Sequence, residues 1–119
     1  MVKGDERLVE DAFVAYLEAE GWSVQRQVHF LDVYAKRGNE ELLAEVKGLT
    51  GASMNLDIDT MFGQLLRRMT SKEATYAVVV PSEALRGVSR VPQWVRDALR
   101  IAVYEVHLPD RAVTRRTDI

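Results

Sequence analysis

The chain has 119 residues, 47% of them hydrophobic, a size that suits one compact domain over 1–119 with one core. It contains no cysteine, which excludes a disulfide framework, a thiol nucleophile and a cysteine-based zinc or iron–sulfur site. The net charge of −2 is uneven: residues 1–60 hold 6 Lys/Arg against 12 Asp/Glu, and residues 61–119 hold 10 against 6.

A basic second half can meet phosphates while the acidic half holds a metal, although charge scatter of this size is ordinary on a solvated surface. No apolar run approaches the roughly 20 residues that span a bilayer. The start, MVKGDERL, has no signal-peptide pattern, so a cytoplasmic protein without a membrane partner is expected.

Asp5 to Glu20 predicts a helix. Leu8, Val9, Ala12, Phe13, Tyr16 and Leu17 recur at helical spacing, and Gly21 stands where a C-terminal cap belongs. At 100° per residue Glu10 falls on the rim of the apolar arc, within reach of whatever packs beside it. A solvated flank is the simpler reading of Glu10 from this helix alone. Trp22 to Gln27 alternates as an edge strand, then runs on with no Gly, Pro or Asn-Gly signal to place the bend.

Phe30 to Lys47, FLDVYAKRGNEELLAEVK, is the most informative stretch. Two apolar runs flank Gly38-Asn39, a two-residue loop typical of a tight hairpin. Counting outward, Arg37 faces Glu40, Tyr34 faces Leu43 and Asp32 falls opposite Glu45, with Lys47 on the same face as Glu45. Directly opposed residues bring two Cβ atoms to about 4.5–5.5 Å. Two carboxylates so close need a positive partner, and a hard divalent cation with oxygen ligands is the simplest.

GLTGASMN then predicts a loop, and Asn55 or Asp57 can cap a helix running to about Thr70. Its buried stripe is Leu56, Ile58, Met61, Phe62, Leu65, Leu66 and Met69. The opposite face carries Thr60, Gln64 and Arg68 with Arg67 beside them, a row suited to a metal site or a phosphate backbone. Thr75 to Val80 is an apolar, β-rich inner strand stopped by Pro81. Pro92 to Leu99 predicts a short helix, Ile101 to Val106 a last strand, and the polar tail from about 109 a loose end.

A helix with Glu10, a strand with Asp32, a strand with Glu45-Val46-Lys47 and a helix with Gln64 together resemble the PD-(D/E)XK nuclease superfamily. The resemblance covers roughly Glu10 to Val106 and is most similar to small Holliday-junction resolvases and Mrr-like domains. Two departures stand out: Leu31, not proline, precedes Asp32, and Gln64 is followed by Leu-Leu-Arg-Arg without the tyrosine of some branches.

The resemblance implies a restriction-endonuclease-like fold: a mixed α/β, αβββαβ core with a mixed central sheet flanked by helices. It implies a metal-dependent endonuclease hydrolysing DNA to 5′-phosphate and 3′-hydroxyl products, on branched or duplex DNA in repair, recombination or restriction. Asp32, Glu45 and the Val46 carbonyl would hold Mg²⁺, with Mn²⁺ able to substitute, and Glu10 would hold water or a second ion. Lys47 would position or help deprotonate the attacking water. Gln64 would orient a phosphate, and Arg67, Arg68 and Lys72 would bind DNA. His29 and His107 are not needed. So small a domain implies a homodimer or a larger complex that supplies DNA-binding surface. The competing reading is a catalytically silent module of the same fold in a DNA-processing complex. An RNA nuclease is a weaker third, for want of an aromatic platform.

Overall fold

The apolar periodicity of the first segment forms α1 (Val2–Ala19), three residues longer at its start than predicted. Val9, Phe13 and Leu17 are its buried stripe. It ends as its glycine foretells: Gly21 takes φ +91°, and the Gly21 and Trp22 amides donate to the carbonyls of Glu18 and Leu17. Three antiparallel strands follow, β1 (Ser23–Val28), β2 (Leu31–Arg37) and β3 (Glu40–Val46). The computed structural model describes residues 2–48 and 53–119.

Beyond β3 come α2 (Met54–Arg67) and β4 (Thr75–Pro81). A 3-10 turn (Ser82–Ala84) and two short helices, α3 (Leu85–Val88) and α4 (Gln93–Ala98), lead to β5 (Ile101–His107) and β6 (Ala112–Arg116). The six strands form one mixed sheet in chain order, with β4 parallel to both β3 and β5 and every other pair antiparallel. Among the described residues no helix is long and apolar enough to cross a membrane.

Two apolar layers hold the sheet. On one face Val9, Phe13 and Leu17 of α1 pack on Val33, Ala35, Ala44, Val46, Ala77 and Val79. On the other, Ile58, Met61, Phe62 and Leu65 of α2 pack on Tyr76, Val78, Val80 and Val103. β4 feeds both layers with alternate side chains, which is why its sequence is apolar throughout. Burying each such side chain contributes about 1.5–3 kcal/mol, so layer packing outweighs the helices' own propensity.

Four expectations need correction. Asn55 and Asp57 do not cap α2, because the helix already begins at Met54, after Ser53, whose side chain makes no capping bond. Leu56 and Leu66 are exposed, at 66% and 48%, because they lie off the arc that faces the sheet. The predicted loop over 48–55 is shortened by the helix start, and its residues 49–52 lie outside the described residues. The tail is not loose: 112–116 pairs with β5 from Val103↔Arg116 to His107↔Ala112. Asp110 fixes that turn by accepting from the Ala112 amide at 3.0 Å and lying 2.9 Å from His107 Nδ1. The segment after β6 is held too, by Gln93 on the Thr117 carbonyl and by buried Arg96 on backbone oxygens of Val91 and Ile119.

Candidate active site

The β2–β3 hairpin has the register counted from its sequence: Arg37↔Glu40, Tyr34↔Leu43, Val33↔Ala44. Gly38 at φ +60°, with a negative φ at Asn39, has the sign pattern of a type II′ turn. One further step of the same register sets Asp32 against Glu45 on the α2 face. There the Asp32 carboxylate lies close enough to Glu45 to raise its carboxyl.

Both acids are held by their surroundings. Asp32 Oδ2 accepts the Val46 amide at 2.8 Å, and its Oδ1 accepts Gln27 Nε2 at 3.3 Å. Glu45 is 7% exposed, and its Oε1 accepts Arg68 Nη1 at 3.0 Å. Burial, and then the Asp32 carboxylate beside it, push the Glu45 carboxyl up to about 8, against the pull of Arg68. At neutral pH this pair therefore retains a proton that an exposed glutamate would have lost.

Glu10 lies on α1, against the other layer, where it pairs with Arg26 and feels the Asp32 charge across the sheet. Its Oε2 is 3.2 Å from Arg26 Nη1, which also binds Asp11 at 2.6 Å. Burial raises the Glu10 carboxyl, Arg26 lowers it, and the charge of Asp32 raises it again. Among the described residues no three acidic, histidine or cysteine side chains converge tightly enough to cage a metal unaided.

Lys47 continues β3, its amide donating to the Val79 carbonyl at 2.9 Å. Strand alternation puts its half-buried side chain on the face of Glu45, and the ammonium has no hydrogen-bond or ion-pair partner among the described residues. Gln64 is also half-buried and unbonded, one helical turn before Arg68. Arg68 is the C-cap of α2, so the chain leaves the helix where its guanidinium turns to Glu45. Arg67 and Lys72 are exposed and away from that pair.

Sequence reasoning missed Gln27 and Arg26. Both depend on a turn at His29-Phe30, which carries none of the residues that mark one. Once Arg26↔Val33 and Val28↔Leu31 are paired, Gln27 stands across from Asp32, so β1, β2 and β3 present Gln27, Asp32 and Glu45 in one row.

The donor set fits a hard divalent cation. Magnesium takes one or two carboxylates and leaves its remaining positions to water and substrate, and Asp32 with Glu45 supplies two carboxylates on rigid strands. A cation there would compete with the proton that Glu45 holds at neutral pH.

No protein-family model matches the chain, and no curated protein does. Solved structures do. The chain is similar to an XisH family protein from Nostoc punctiforme, with a TM-score of 0.66 over 90% of this chain and 96% of that one at 16% identity. It is also similar to an fdxN element excision controlling factor protein from Anabaena variabilis, with a TM-score of 0.67 over 94% and 99% at 14% identity. At such identities the likeness is one of fold: a mixed sheet flanked by helices.

Proposed function

We propose that this chain is a metal-dependent DNA nuclease of the PD-(D/E)XK superfamily, cutting phosphodiester bonds to leave 5′-phosphate and 3′-hydroxyl ends. One observation carries the reading: two carboxyl groups set opposite each other on paired strands, one of them buried and held near 8. A structural scaffold gains nothing from that arrangement, whereas a cation site requires it.

When bound, Mg²⁺ or Mn²⁺ supplies Lewis-acid polarisation and neutralises phosphate charge. Asp32, Glu45 and the Val46 carbonyl would hold it, with Glu10 beside them. The Lys47 ammonium, without a partner among the described residues, positions the attacking water and offsets charge that builds on the phosphate. Gln64 orients a phosphate oxygen through its free amide. Arg67 and Lys72 meet the backbone further along, and Arg68 joins them when it leaves Glu45. A homodimer or larger complex in the cytoplasm completes the DNA-binding surface.

A second reading has one observation in its favour. Arg68 already supplies positive charge to Glu45, as a catalytically silent module would need. One fold neighbour is named an excision controlling factor, which suits a silent subunit of a DNA-processing complex as well as a cutting one. A panel of duplex, single-stranded, branched and flapped DNA with Mn²⁺ separates the two. The nuclease reading expects at least one substrate to be cut, and Asp32→Ala and Glu45→Ala to be inert. A wild-type chain that cuts none of them, and whose melting temperature ignores Mn²⁺, leaves the silent module.

A further inference from the structure

The turn from β1 to β2 is built from residues ill suited to it. His29 and Phe30 sit at φ +57° and +62°, and Gln27 just before them at +57°. This sign pattern is that of a type I′ turn, which Asn-Gly fills without strain. A phenylalanine there is a genuine outlier. The strain is not repaid by packing of its ring, because Phe30 is 85% exposed, the most open large apolar residue among those described.

The rest of the turn is anchored. Leu31 is buried in the α2 layer, and the His29 ring meets Tyr34 edge-on at 4.9 Å. The Tyr34 hydroxyl in turn donates to Glu41 at 2.6 Å, and the Gln27 amide donates to Asp32. Phe30 is thus held out on a fixed support, its Cα within about 7 Å of the Asp32 Cα by chain geometry. A lone exposed apolar residue needs no explanation. An outlier backbone that presents an open aromatic ring two residues before Asp32 does.

We propose that Phe30 is a wedge that inserts into a base step of bound DNA at the lip of the site and stacks on an unstacked nucleobase. The inference rests on the reading of the chain as a DNA-acting protein and adds the feature of the substrate that it engages. An apolar side chain can part a base step, and a single ring can take one base face, at least expense where pairing is already weak. The preferred ligand is therefore duplex DNA with a mismatch, nick or branch, not a uniform duplex.

The test uses the full chain with Ca²⁺ and a duplex bearing 2-aminopurine beside a mismatch, whose fluorescence rises on unstacking. The expected result is a severalfold brightening with wild type, lost in Phe30→Ala and largely kept in Phe30→Leu. The double change His29→Asn, Phe30→Gly should lose the brightening and melt higher than wild type, because it relieves the turn. Equal brightening with wild type and Phe30→Ala overturns the wedge. So does a sedimentation shift from dimer to monomer in Phe30→Ala with brightening retained, which would make Phe30 a contact between copies. If wild type binds this duplex without brightening, or does not bind it, the wedge fails, and the nuclease reading stands or falls on the Mn²⁺ cleavage panel alone.

Discussion

Two of the clusters that set one arginine among two carboxyl groups behave in opposite ways. At the β5–β6 edge, Arg116 lies between Glu105 at 2.7 Å and Asp118 at 2.9 Å. Glu105 is lowered by the Ser82 hydroxyl that faces it and by Arg116, and Asp118 is lowered chiefly by Arg116. In the β2–β3 row, Arg68 pairs with Glu45 alone while Asp32 stands opposite Glu45, and Glu45 rises to about 8. Stoichiometry is the same; burial and the place of the cation decide the outcome. The first cluster is a closed clasp. The second is short of positive charge.

Lys47→Ala is the largest expected effect on that contrast. It should lower cleavage by about 10²-fold or more, the scale of losing one charge-stabilising group, while keeping the Mn²⁺-induced rise in melting temperature. Equal cutting by variant and parent would remove Lys47 from the chemistry. Next comes the metal response itself. A cation at about 100 times its Kd stabilises the fold by roughly 2.7 kcal/mol, and the resulting shift should vanish in Asp32→Ala and in Glu45→Ala. It should be larger at pH 8.5 than at pH 6, because the cation and the proton compete for Glu45.

Metal-free melts against pH sharpen the contrast further. With its carboxyl raised above the unfolded value of 4.5, Glu45 favours the fold fully at low pH and loses that contribution as pH climbs from 4.5 through about 8. Glu45→Gln should flatten this decline. Glu105 has the opposite sign: its contribution is present above 4.5 and lost as pH falls through its lowered value, so Glu105→Gln should flatten the acid limb only. The smallest effect is Arg116→Ala, a slight fall in melting temperature at pH 7 that disappears in acid. Melts in which Glu45→Gln and Glu105→Gln flatten the same limb would erase the distinction between clusters.

The hairpin, α1 and β4 were legible because each carries a local signal: Gly38-Asn39 with alternation, a 3.6-residue stripe ending at Gly21, an unbroken apolar run. So was the meeting of Asp32 and Glu45, which follows from register alone. The rest depends on partners distant in sequence. The His29-Phe30 turn has no turn residues and is held by Leu31, Tyr34 and Gln27. β6 has one inward apolar side chain, Val113, and exists because β5 offers it a ladder and Arg116 a clasp. Arg96 is buried against the usual habit of arginine, and the Val91 and Ile119 backbone oxygens that it serves explain it.

Asp32 rides on β2, one strand from the free margin of the sheet, whereas Glu45 belongs to β3, bound laterally to parallel β4. The two halves of the carboxylate pair thus belong to regions of unequal tenacity. On warming, amide exchange is expected to quicken in β2 before β4, with the pair parting while the inner strands are still intact. The proposed cleavage should then be lost at a lower temperature than the fold, which paired cutting and melting curves would read.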